Sequence, residues 1–140
     1  MKTSIFVYGT LRTGCRNWHR YLSSLVGTPA TTMDCFTMRV VREGEEASYP
    51  IVEPVQGMPV VGEIFSIDDQ QLADIDALEQ HPHWYRRSQV KVRCGESEIR
   101  EVWMYLMPAG QYEDAAILES GDWTDIESPR PPSSEEASAS

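Results

Sequence analysis

Ile5-Phe6-Val7-Tyr8-Gly9-Thr10-Leu11-Arg12-Thr13-Gly14 is the stretch around which the chain is organised. Four apolar, β-favouring residues run without interruption into a glycine and then into a short polar segment. A continuous run of this kind suits a buried strand, and Gly9 ends it. A strand that stops on glycine lets the backbone turn sharply and leaves several N–H groups facing outward. Such a cluster of amides is a natural seat for a carboxylate or phosphate. The same residues also fit a buried strand followed by an ordinary turn.

Length and charge narrow the frame around this stretch. With 140 residues the chain is long enough for one domain with a real core. A net charge of −10 argues against a nucleic-acid or anionic-membrane partner, because phosphate binding needs clustered Lys and Arg. No apolar stretch approaches the ~20 residues of a membrane span. One Lys and a four-residue apolar run before Gly9 do not make a signal peptide. Cys15, Cys35 and Cys94 are odd in number and scattered, with no CxxC spacing, which points to a reducing compartment and a cytoplasmic location.

Beyond the opening loop, Asn17 is placed to cap a helix running to about Leu25, with Gly27 past its end. Trp18, Tyr21, Leu22 and Leu25 form its apolar face, and His19 lies off that stripe. From Thr31 to Val41 the pattern turns to strand, with a bulge expected before Phe36. Glu43 to Glu46 reads as a solvated turn. Tyr49-Pro50-Ile51-Val52 is a short strand that Pro50 confines to an edge or a strand start. Gly57-Met58-Pro59 reads as a turn, and Val60 to Ile67 as another strand. Asp68 starts a helix that stops before Pro82. Ser88–Arg93 and Arg100–Met107 are expected to form a hairpin around Cys94-Gly95-Glu96-Ser97. Val102, Met104 and Leu106 face one way and Trp103 and Tyr105 the other, so both faces should be covered. Tyr112, Ile117, Leu118 and Trp123 are expected to pack as a closing segment. The domain is thus placed at residues 1–127. Residues 128–140, an acidic Ser/Pro-rich stretch, are read as a disordered tail.

One carboxylate does not fit its surroundings. On a helix, Leu72, Ile75 and Leu78 cluster around one direction, and Glu79 lies only roughly 40° from its centre. Asp74 and Asp76 each lie roughly 100° away. Glu79 also sits in the last turn, where the macrodipole disfavours an anion. Three explanations stand: a functional acid, a salt bridge to Arg86 or Arg87, or a helix that ends early and leaves Glu79 exposed. His81-Pro82-His83 lacks a Cys or acidic partner at metal-ligand spacing and reads as a surface turn, so no metal site is expected.

Tyr8-Gly9-Thr10-Leu11-Arg12 after an apolar N-terminal strand resembles the signature loop of the γ-glutamylcyclotransferase-like proteins, which include the γ-glutamylaminecyclotransferase and AIG2-like branch. Glu79, then Tyr85-x-Arg87, then Val90 and Val92, resembles that family's second motif. Tyr49-Pro50 and Gly121-Asp122-Trp123 are similar to further elements of it. The resemblance implies an α+β fold, a small mixed β-barrel flanked by two principal helices. It also implies a reaction: the α-amine of a γ-glutamyl group attacks its own γ-carbonyl, releasing 5-oxoproline and an amine. Glu79 would be the general acid/base. The amides of Gly9, Thr10 and Leu11 would hold the substrate α-carboxylate, with Tyr8, Tyr85 and Tyr105 lining the pocket, and no cofactor would be needed. The expected partner is a small-molecule γ-glutamyl substrate. Threonine at the loop's third place is closer to the γ-glutamylamine branch than to the glutathione-degrading one, whose loop carries Ser there. The leaving amine and the oligomeric state are not readable. The competing expectations are a non-catalytic carboxylate-binding protein on the same scaffold and an interaction module using the acidic tail.

Overall fold

A computed structural model describes residues 2–43 and 47–130. β1 (Thr3–Val7) pairs on both sides: antiparallel with β5 (Val61–Ile67) and parallel with β7 (Glu98–Leu106). β2 (Thr28–Thr32) joins β5 to β6 (Arg86–Cys94), and β6 returns to β7 as a hairpin, so five strands close into a barrel in the order β1-β5-β2-β6-β7. The single parallel pairing makes the barrel mixed, as the resemblance implies. Outside it, β3 (Phe36–Glu43) lies between β4 (Ala47–Met58) and the two-residue β8 (Ala116–Ile117). α1 (Trp18–Tyr21) and α2 (Asp69–Leu78) sit beside each other.

The uninterrupted apolar run of β1 follows from its position between two cores. Phe6 and Tyr8 belong to one cluster with Ala30, Ile64, Val92, Val102 and Met104, which come from all five barrel strands and so fill the barrel. Ile5 and Val7 belong to another with Trp18, Leu22, Phe65, Ile75 and Tyr105, packed between the barrel's outer face and the helices. β7 shows the same division: Val102, Met104 and Leu106 enter the first cluster and Tyr105 the second. A strand buried on both faces needs apolar residues at every position, not alternate ones.

Several expectations need adjustment. The first helix is a single turn ending at Tyr21, with looser turns to Leu25. Asn17 provides no side-chain cap; its amide donates to Thr10 Oγ1 at 2.7 Å. The Thr31–Val41 segment is two strands in different sheets, interrupted at Met33–Cys35, with a register irregularity at Phe36/Thr37. β4 is an edge strand, which tolerates Pro50, but it is twelve residues long and includes Gly57 and Met58. Ile117 is exposed, whereas Trp123 is fully buried. The solvated turn read at Glu43 to Glu46 lies largely outside the described residues, as does residues 131–140 of the tail. Within the described part, Arg130 donates its amide to Gly14 O at 2.9 Å, so the chain stays in contact three residues past the expected boundary.

Candidate active site

The helix α2 begins where Asp68 caps it reciprocally with Gln71, each side chain accepting the other residue's backbone N–H. It ends in a paired closure: Gln80 N–H donates to Ala77 O at 3.2 Å and His81 N–H to Asp76 O at 2.9 Å. Gln80 takes φ of +54°, the position where glycine is the usual occupant. Glu79 is therefore the first residue past the helix, its own N–H still bonded to Ile75 O at 2.9 Å.

Neither structural explanation of Glu79 holds. Arg87 pairs instead with Asp76, through Nε at 2.9 Å and Nη2 at 3.2 Å. Glu79 does stop just outside the helix, yet its carboxyl group is enclosed while the rest of the residue is partly exposed. Among the described residues that carboxyl has no hydrogen-bond or ion-pair partner. Burial raises its pKa from 4.5 to about 7, so near neutrality it both accepts and donates a proton readily.

The enclosure is a cavity of about 210 Å³. Tyr8, Gly9, Thr10, Leu11, Glu79, Tyr85 and Tyr105 all line it, so the structure brings together the residues that the resemblance assigns to the acid/base, the loop amides and the pocket walls. The loop amides of Gly9, Thr10 and Leu11 donate to no acceptor among the described residues, whereas the carbonyls of Gly9 and Thr10 are engaged by Arg12, Asn17 and Trp18. The loop is thus tied down by its acceptors and keeps its donors free. Glycine is required at position 9 for a reason other than a left-handed turn: a Cβ there would fall 2.3 Å from the Pro50 ring. Arg12 anchors the loop from outside, donating to Asp122 Oδ1 at 2.6 Å. This ion pair joins the Tyr8–Arg12 stretch to Gly121-Asp122-Trp123 near the other end of the chain.

The three tyrosines serve as walls. Tyr8 Oη donates to Tyr105 O at 2.7 Å, Tyr85 Oη to Pro50 O at 2.8 Å, and Tyr105 Oη to Asp76 Oδ1 at 2.5 Å. Each hydroxyl proton is spent on a protein acceptor, so a ligand meets rings and acceptor oxygens, not donors. Burial, reinforced by the Glu79 charge, keeps Tyr8 and Tyr85 far from ionising. Although burial alone would raise Asp76, hydrogen bonds from Arg87 and Tyr105 and the Arg87 charge hold it below the ordinary carboxylate value.

Asn17, Tyr49, Pro50, Leu78 and Trp84 also line the cavity and were not foreseen as site residues. Trp84 carried a readable signal, since it directly precedes Tyr85; Asn17 carried none, because its amide is drawn to Thr10 only once the loop is folded. Among the described residues no group of three or more His, Cys, Asp or Glu side chains is arranged to hold a metal ion. No helix there is long and apolar enough to cross a membrane.

The chain has extensive likeness to known proteins. It is 36% identical over 129 residues to a protein of Methanocaldococcus jannaschii provisionally named a gamma-glutamylcyclotransferase, covering 86% of this chain and 95% of that one. It is 32% identical over 110 residues to gamma-glutamylaminecyclotransferase B of Danio rerio, covering 72% of this chain and 57% of that one. The crystal structure of a mouse AIG2-like protein superposes with a TM-score of 0.72 at 25% identity, over 92% of this chain and 94% of that one. The family model described as gamma-glutamyl cyclotransferase, AIG2-like, matches residues 5–125. With the barrel, the loop and the enclosed carboxylate in the order that model spans, the chain belongs to the AIG2-like gamma-glutamyl cyclotransferase family.

Proposed function

We propose that this protein cyclises a γ-glutamylamine to 5-oxoproline and the free amine, with Glu79 as general acid/base. The observation that carries the reading is an enclosed carboxylate without a partner sharing one small cavity with three unengaged backbone amides. Nucleophile and electrophile are already in one molecule, so catalysis requires a folded-back pose and no covalent enzyme intermediate. The amides of Gly9, Thr10 and Leu11 hold the α-carboxylate and so decide which end of the substrate enters.

The substrate's α-ammonium first gives a proton to the Glu79 carboxylate. Its nitrogen then forms a bond to the γ-carbon, and the bond from that carbon to the amine nitrogen breaks. Glu79 passes that proton to the departing nitrogen and then relays a second one from the attacking nitrogen in the same way, so the lactam nitrogen retains one hydrogen and the amine leaves as an ammonium. The rings of Tyr8, Tyr85 and Tyr105 exclude water and confine the glutamyl chain. This acyl transfer involves no change of oxidation state, so it calls for no oxidant or reductant.

Incubating the purified protein with γ-glutamyl-ε-lysine, a γ-glutamyl-amino acid and glutathione, and assaying 5-oxoproline, tests the proposal. Product from the first and little from glutathione is the expected result. Binding of 5-oxoproline without turnover of any γ-glutamyl compound would instead identify a carboxylate-binding protein on this scaffold.

A further inference from the structure

Two groups of opposite charge line the inner cavity. Glu79 is the acid, and among the described lining residues Arg16 is the base. Arg16 lies just past the loop that supplies the amides, beside Asn17, and both its backbone and its side chain are tied. Its backbone N–H donates to Glu127 Oε2 at 2.7 Å, and its Nη2 donates to the Ser48 carbonyl. Ser48 directly precedes Tyr49 and Pro50, which line the cavity from β4. The exposed guanidinium therefore bridges the loop and the facing wall at the solvent side of the cavity.

That guanidinium keeps an unspent charge. Arg12, Arg39 and Arg87 are each paired with an acid: Asp122, Glu53 and Asp76. The Arg16 guanidinium has no ion-pair partner among the described residues, although the protein carries −10. Its neutral partner, the Ser48 carbonyl, engages one nitrogen of a fork with five N–H donors. An exposed arginine is ordinarily just solvated. At this place its charge does what the loop amides cannot. Backbone N–H groups donate to a carboxylate and to a carboxamide oxygen alike, whereas a fixed cation favours only the anion. An ionised Glu79 acts in the opposite sense and repels a second carboxylate in the same cavity.

We propose that Arg16 is a specificity-determining residue of this site, supplying the counter-charge for the carboxylate held by the amides of Gly9, Thr10 and Leu11. The site thereby takes a glutamyl group whose α-carboxylate is free and discriminates against one whose α-carboxyl is an amide, as inside a peptide chain. This rests on the γ-glutamyl reading of the inner cavity.

The test compares two ligands of one shape, 5-oxoproline and its uncharged carboxamide, by calorimetry on the native protein, Arg16→Gln and Arg16→Lys. Arg16→Gln should weaken 5-oxoproline binding about threefold to tenfold and leave carboxamide affinity within about twofold of native. Arg16→Lys keeps the charge and should recover part of that loss. Raising salt from about 20 mM to about 500 mM should narrow the gap between native and Arg16→Gln protein, because the guanidinium is exposed. An equal loss of both ligands in Arg16→Gln would show that Arg16 only supports the mouth, and would overturn the proposal. So would a 5-oxoproline affinity unchanged from native. In either case, binding of 5-oxoproline by the native protein leaves the γ-glutamyl reading standing. If the native protein binds neither ligand, that reading falls and the proposal falls with it.

Discussion

Two carboxylates three residues apart at the end of α2 have opposite surroundings. Asp76 sits in a polar cluster, receiving two hydrogen bonds from Arg87 and one from Tyr105, and is held in its charged form. Glu79 faces the cavity, receives none among the described residues, and is pushed toward its neutral form by burial. Tyr105 stands between them: its hydroxyl satisfies Asp76 and its ring walls the cavity that holds Glu79. One acid has its stabilising partners in the fold; the other, in the reaction proposed above, would find its partner in the substrate's ammonium. Partners, more than burial, separate a structural acid from a reactive one.

The sharpest way to break this contrast is Glu79→Gln, which keeps size and shape but cannot accept a proton. Turnover should fall roughly 10²–10⁴-fold, the usual worth of a general acid/base, while 5-oxoproline binding survives. An active but destabilised variant would show that Glu79 is structural.

The same pair should give opposite stability slopes with pH. Glu79 has a raised folded value, so its contribution is fully present below about 4.5 and is lost as pH rises through about 7. The loss is worth about 3 kcal/mol at most. Denaturant unfolding at pH 5 and pH 8 should show this decline in the native protein and its absence in Glu79→Gln.

Asp76→Asn should cost about 1–3 kcal/mol at neutral pH, because Arg87 loses its charged partner in a part-buried site. Asp76 has a lowered value, so its contribution is present above the ordinary 3.8 and is lost as pH falls through the lowered folded value. The variant's deficit should therefore shrink on acidification. A deficit independent of pH would mean that packing, not charge, was lost.

Gln80→Gly probes the backbone that separates the two acids. Glycine at φ of +54° removes a penalty of about 1 kcal/mol, and the melting temperature should rise by a few degrees. A fall would show that the Gln80 side chain contributes more than its backbone costs. The smallest effect should come from ending the chain after Arg130, which keeps the bond to Gly14 and removes the Ser/Glu/Ala segment. Superimposable unfolding curves are expected. A large drop in midpoint would show that residues 131–140 dock.

Glu79 was legible before the fold because an acid on a Leu72-Ile75-Leu78 stripe conflicts with local pattern. The fate of Arg87 was not. Arg87 is eight residues from Glu79 and eleven from Asp76, and nothing in that spacing says which acid it reaches. Register decides it: β6 pairs Arg87 with Tyr105, and Tyr105 already binds Asp76. The length of α1 was similarly hidden. A short helix draws most of its stability from packing, and here Thr10 takes the amide side chain that would have capped it.

Local residue order therefore determined the apolar strand, the reciprocal cap at Asp68, the hairpin at Gly95 and the anomaly of Glu79, because each depends on neighbours within a few positions. Barrel closure, the Arg12–Asp122 tie and the approach of Pro50 to Gly9 were decided by tertiary structure alone. Each joins residues far apart in the chain, and which partners meet is set by strand register and close packing, not by any periodicity that a linear sequence displays.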